Sequence, residues 1–125
     1  MKTDINEIEI NGVKYVPKGT ESATVPMAKN GACIVRCESA GVFFGEIIKT
    51  DLANGGVVEL KNARRLWYWS GAASLSQLAV DGTAKPKDCK FPTPVPQITL
   101  VKCIEISPCS AKAVDSLNGV EIWKQ

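Results

Sequence analysis

A chain of 125 residues that is 45% apolar and 22% charged has the size and composition of one folded domain with one core, which excludes global disorder. Its formal charge of +2 excludes nucleic-acid binding by general electrostatics and leaves only a local basic patch for that role. With no histidine, Ser-His-Asp and Cys-His catalysis are removed, and the 13 carboxylates stand in no catalytic motif, so a binding protein is expected rather than an enzyme.

The first residues, Met1 to Glu7, hold no apolar run suited to a secretory signal. No stretch approaches the roughly 18 consecutive apolar residues of a membrane-spanning helix. A cytoplasmic protein without membrane partners is therefore expected. Ile5 to Ile10, Asn11-Gly12 and Val13 to Val16 read as a β-hairpin, because Asn-Gly adopts the positive φ angles of a tight hairpin turn. The span 5–16 is thus assigned to a hairpin, 17–31 to a polar loop and 32–123 to the main body of a single domain covering 1–125.

In the main body, Cys33 to Ser39 and Val42 to Lys49 form the next antiparallel pair, turning at Ala40-Gly41. Val57 to Leu60 reads as a short strand, and Ala63 to Trp69 as another, rich in the aromatic residues that suit a pleated surface. Ser74-Leu75-Ser76-Gln77 matches a helix capping box, with the helix ending near Asp81-Gly82 and burying Leu75, Leu78 and Ala79. The prolines between Lys85 and Pro96 predict an extended surface connection. Ile98 to Ile106 reads as one strand buried on both faces at its centre. Ser107-Pro108 is expected to open a second helix that stops at Asn118-Gly119, and Val120 to Trp123 to close the chain as a strand. The order predicts a β-rich α+β fold: a mainly antiparallel sheet of about six to eight short strands with two short helices on one side.

Cys33, Cys37, Cys89, Cys103 and Cys109 make an odd count without an export signal, which fits reduced thiols better than a disulfide framework. Their spacing departs from that of zinc ribbons, so neither a metal nor a cofactor is expected. Arg36 and Glu38 are two apart and read as a surface pair. Lys85, Lys87 and Lys90 form a small basic cluster.

The densest chemistry lies at Ala63 to Gly71. On a strand, alternation puts Arg65, Trp67 and Trp69 on one face, roughly 6.6 Å apart in succession, and Arg64, Leu66 and Tyr68 on the other. A row of one guanidinium and two indoles stacks a planar base while the cation meets a phosphate. Small residues follow, from Ser70 and Gly71 to Ser74, where backbone N–H groups at the helix entrance favour an anion. The candidate ligand-binding residues are therefore Arg64, Arg65, Trp67, Trp69, Ser70, Gly71 and Ser74. The alternative is structural: tryptophans on strands commonly serve cores or subunit contacts, covered by arginine stems.

The run Asn62-Ala63-Arg64-Arg65-Leu66-Trp67-Tyr68-Trp69-Ser70-Gly71-Ala72, continuing through Ser74 to Ala79, resembles a family of short proteins of tailed phages and prophages. Cys89-Lys90-Phe91-Pro92 and Ile104-Glu105-Ile106 fit the same family, so that the resemblance runs from about Cys33 to the C-terminus. It implies a phage origin and production in the bacterial host cytoplasm, and it brings no catalytic residues. By analogy with small β-rich phage proteins, it implies an oligomeric sponge for a nucleotide-like anion in evasion of host defence. The alternative it implies is an interaction module that binds a host or phage protein through the aromatic and arginine surface. A homo-oligomer is expected in the first case.

Overall fold

The computed structural model describes residues 8–10, 13–15 and 25–125. Strands β1 (Ile8–Ile10) and β2 (Val13–Tyr15) pair antiparallel, with Ile8 opposite Tyr15 and Ile10 opposite Val13. This is the hairpin read from the sequence; its Asn11-Gly12 turn and most of the following loop lie outside the described residues. The main sheet holds β3 (Ala32–Cys37), β4 (Val42–Asp51), β5 (Val57–Arg65), β6 (Val95–Leu100) and β7 (Cys103–Pro108). Every pairing in it is antiparallel, in the order β6-β5-β4-β3-β7. Two helices, α1 (Leu75–Asp81) and α2 (Ala111–Asn118), complete a β-rich α+β fold. The sheet has five strands rather than six to eight, because β1 and β2 form a sheet of their own. None of the helices among the described residues is long and apolar enough to cross a membrane.

The strand order constrains the shape. In a flat sheet, β6 and β7 would lie four spacings apart, roughly 19 Å. Yet only Val101 and Lys102 separate them in the chain, and three Cα steps of about 3.8 Å reach at most ~11 Å. The sheet must therefore curl until its two edges meet at the ends joined by this link. Lys102 takes a left-handed φ of 56° at the bend, and its N–H donates to the Gly55 carbonyl at 2.8 Å, while Cys103 N–H donates to Gly56 at 2.9 Å.

The expected single strand Ile98 to Ile106 is thus two strands on opposite edges. The bend also resets the faces: Cys103 packs with Ile98, Leu100 and Ile106, and Ile104 turns outward. A period-two pattern runs unbroken through a bend of this kind, so alternation alone does not reveal it.

Curling gives the sheet two cores. Inside the curl, Cys33, Val35, Cys37, Phe43, Val58, Leu60, Ala63 and Leu100 pack together. On the other face, Ala32, Ile34, Phe44 and Leu66 meet Leu78 and Ala79 of α1, Ala113 and Leu117 of α2, and Phe91. Strict alternation along β3, with Cys33 and Val35 inward and Ala32 and Ile34 toward the helices, supplies both cores from one strand.

Helix α1 begins as its sequence predicts. Ser74 Oγ accepts from Gln77 N–H at 3.1 Å, and Gln77 Oε1 reaches back to Ala73 N–H at 2.8 Å. Helix α2 begins later than expected. Strand β7 runs through Ser107-Pro108, and the buried Ser110 is the cap, accepting from Ala113 N–H at 3.0 Å and donating to the Val80 carbonyl at 2.5 Å. Ser110 thereby ties the start of α2 to the end of α1. The connection from Lys85 contains a 3-10 turn at Pro86–Asp88 before β6, and Val120 to Trp123 makes only a single bridge, Phe91 to Ile122, in place of a strand. Arg36 pairs across the sheet with Glu105, Nε to Oε1 2.7 Å, rather than with Glu38.

Candidate functional site

Strand β5 decides where the arginines point. Its first half places Val58 and Leu60 inside the curl. At Asn62 the backbone takes a left-handed φ of 52°, and the register against β4 slips between Phe44 and Glu46. This is a β-bulge. Gly45 lies opposite it, where a Cβ would come within 3.2 Å of Ala63 and Leu60. After the bulge, Ala63 stays with the inner core, Arg64 and Leu66 face the helices, and Arg65 stands opposite Phe43. The two short strands expected at Val57 to Leu60 and Ala63 to Trp69 are one strand that ends at Arg65. It ends there because Leu66 N–H bonds to the Val42 carbonyl and β4 begins at Val42, so β4 offers no partner beyond.

The expected row of Arg65, Trp67 and Trp69 is therefore not assembled. The Arg65 guanidinium lies 4.4 Å from the Phe43 ring centroid and donates through Nη1 to the Ala40 carbonyl at 2.6 Å, latching the β3–β4 turn. Trp69 packs on the helical core, on the opposite face of the sheet from Arg65. Trp67 is 64% exposed. Alternation failed here because the regular strand stops at Arg65, short of both tryptophans.

The small-residue turn is occupied by the chain itself. The Ser70 carbonyl accepts from Thr83 Oγ1 at 2.5 Å, and the Gly71 carbonyl from Ala84 N–H at 3.1 Å. Gly71 has a φ of 85°, and a Cβ there would come within 2.4 Å of Lys85 N. With Ser74 and Gln77 closing the first turn of α1, these groups secure the 83–85 segment and the helix entrance.

Arg64 is the one charged residue among the buried side chains of the described residues, 5% exposed. Its Nη1 donates to the Leu117 carbonyl at 2.9 Å, in the last turn of α2, and its guanidinium stands 5.2 Å from the Phe91 ring centroid. Its Nε and Nη2 are buried without a hydrogen-bond partner among the described residues. A buried unsatisfied donor costs about 1–3 kcal/mol. Desolvation lowers the Arg64 pKa from its ordinary value. Beside Arg64 lies a cavity of about 430 Å³ walled by Asn62, Pro94, Val95, Pro96, Asn118, Val120 and Ile122.

A second hollow of about 430 Å³ lies across the Phe91–Ile122 bridge, lined by Tyr68, Ser70, Lys87, Asp88, Cys89, Lys90 and Trp123. Tyr68 and Lys90 exchange backbone hydrogen bonds, N–H to O 3.2 Å and 2.8 Å, and Trp123 N–H donates to the Phe91 carbonyl at 2.9 Å. These bonds bring three distant segments together. The Lys90 ammonium lies 5.9 Å from the Tyr68 ring centroid and 5.6 Å from that of Trp123. Sequence reading named Lys87 and Lys90 only as a basic cluster and did not join Trp123 to them. Only the long-range bridges do so, and no local pattern announces them.

Residues 30–117, more than half of the chain, match the model of a family described as Domain of unknown function (DUF6948), and the chain belongs to that family. No curated protein and no solved structure matches it.

Proposed function

We propose that the chain is a non-catalytic binding protein for a nucleotide-like anion, taken in the hollow between Tyr68, Lys87, Lys90 and Trp123. The observation that carries this reading is the Lys90 ammonium standing against two aromatic rings, 5.9 Å and 5.6 Å from their centroids. Stacking of a base on an aromatic side chain contributes about 1–3 kcal/mol, and lysine supplies a mobile point charge for phosphate. Asp88 in the same wall favours a ligand whose negative charge is localised near Lys87 and Lys90. In a phage setting, a homo-oligomer carrying this site sequesters a nucleotide signal of host defence.

Isothermal titration calorimetry against cyclic and linear nucleotides tests the reading. Binding is expected for the chain as it stands, and Lys90→Ala and Trp123→Ala are each expected to weaken it by about tenfold, near the lower end of one stacking contribution. No binding, or unchanged binding in both variants, sinks it.

Trp67 favours a second reading, because a tryptophan 64% exposed beside the exposed Tyr68 is the kind of side chain that anchors a protein interface. On that reading the module docks on a host or phage protein. A stoichiometric protein captured from bacterial lysate and lost in Trp67→Ala is the result expected of it.

A further inference from the structure

The sequence holds Asn-Gly four times, at Asn11, Asn30, Asn54 and Asn118. In such a pair the backbone nitrogen of glycine is able to close on the asparagine side-chain carbonyl, because glycine brings no Cβ to obstruct the approach. The first pair lies outside the described residues, and the fold treats the other three differently.

Asn118 ends α2, and the Gly119 N–H is engaged by the Asp115 and Ser116 carbonyls, both at 3.1 Å, so its nitrogen is not free to attack. Asn30 is exposed, but its Oδ1 accepts from the Ala32 N–H at 3.2 Å, and Ala32 is buried. Turning the Asn30 side chain toward Gly31 strips that buried donor of its partner, which is costly. Asn54 sits on the exposed turn between β4 and β5. The Gly55 N–H makes no hydrogen bond among the described residues, and a Cβ at Gly55 would meet nothing within 4 Å. The Asn54 amide donates through Nδ2 to Asp51, at 3.1 Å to Oδ1 and 3.2 Å to Oδ2. Asp51 is itself exposed, so solvent takes over its oxygens when Asn54 turns away.

We infer that Asn54 is a spontaneous modification site, at which the folded chain converts asparagine to aspartate and isoaspartate. The Gly55 nitrogen bonds to Asn54 Cγ, the bond from Cγ to the amide nitrogen breaks, and ammonia leaves with the proton that Gly55 gives up. Water then adds across either C–N bond of the resulting succinimide. One opening gives aspartate, and the other gives isoaspartate, with the main chain rerouted through the side chain.

The place of Asn54 in the fold gives this reaction a consequence. The Gly55 and Gly56 carbonyls accept from the Lys102 and Cys103 N–H groups at 2.8 Å and 2.9 Å, the bonds that seat the link between β6 and β7. A carboxylate at position 54 faces Asp51 where a donor stood, and isoaspartate adds a methylene to the main chain beside Gly55. Modification thus loosens the joint between β6 and β7. It needs no ligand and does not rest on the nucleotide reading.

The test is to keep the full chain in warm, mildly alkaline buffer and to follow it by tryptic peptide mapping, in which the four asparagines fall in different peptides. In the folded chain Asn54 is expected to react faster than Asn30 and Asn118 by about fivefold or more, the factor that corresponds to one unmet buried donor. In concentrated urea the three rates are expected to converge, since each asparagine then precedes an unrestrained glycine. Amide hydrogen exchange at Lys102 and Cys103 is expected to quicken as the chain ages and to stay constant in Asn54→Gln, whose longer side chain does not close the same ring. Asn30 or Asn118 keeping pace with Asn54 in the folded chain, a lead of Asn54 that persists in urea, or ageing that leaves the Lys102 and Cys103 amides unchanged overturns the inference.

Discussion

Burial raises the thiol pKa values of Cys33 to about 11 and of Cys109 to about 12, the second helped by the neighbouring Cys33, from an ordinary value of 9.0. The cause is desolvation, which penalises the thiolate. Both thiols stay protonated in the folded chain at pH values where the unfolded chain ionises. Their contribution to stability is full below pH 9.0 and is lost progressively as pH rises toward 11–12. Each costs about 1.4 kcal/mol per pH unit within that window. Urea midpoints measured from pH 8 to 11 are expected to fall above pH 9, and Cys33→Ala to flatten the fall. At residue scale the sequence was informative about the burial of these thiols, since cysteine packs as a small apolar side chain. It was silent on the fate of Arg64, because nothing within a few residues of an arginine says which carbonyl will take one of its nitrogens and which will be left bare.

The helices differ in how they are capped, and the difference is measurable. Ser74 caps α1 at the surface, whereas Ser110 is buried and serves two partners, Ala113 N–H and the Val80 carbonyl. Loss of a cap alone costs about 1 kcal/mol, and loss of the second hydrogen bond of Ser110 adds about 1 kcal/mol. Ser74→Ala is therefore expected to lower stability by about 1 kcal/mol and Ser110→Ala by roughly 2 kcal/mol in urea denaturation. The first cap was legible because the capping box is local, with both hydrogen bonds spanning three or four residues. The second was not: Ser107-Pro108 carries an equally good helix-opening pattern, but those residues are claimed by pairing with Cys33 and Ile34 of β3. The end of β5 was lost for the same reason. Leu66 to Trp69 has strand propensity throughout, and the strand stops because β4 has already turned away.

At the scale of the whole sheet, its first and last strands, β3 and β7, are joined along one ladder, at whose end Cys37 Sγ and Cys103 Sγ lie 3.4 Å apart. Mild oxidation with diamide is expected to join these two sulfurs, each thiol giving up a hydrogen atom as diamide is reduced to the hydrazine. Intact mass spectrometry reads the loss of two hydrogens, and Cys103→Ser abolishes it while Cys89→Ser does not. A cross-link closing a loop of 66 residues stabilises by about 4 kcal/mol in the chain-entropy account. The two hollows also belong to this scale. Tyr68, Lys90 and Trp123 come together only after the fold is complete, so the sequence displayed the site's residue types but not its membership.

Strand β7 follows β6 directly through Val101-Lys102, and among the described strands it is the one that pairs with the edge of β3 facing away from β4. At about 5–20 residues per second, the 66 residues from Cys37 to Cys103 take roughly 3–13 s to be synthesised. Through that interval β3 and β4 are able to pair, but Ala32–Cys37 offers the unpaired backbone groups of its other edge to any strand that passes. The nascent chain is thus most exposed to misassembly in the seconds before β7 arrives to pair with that edge.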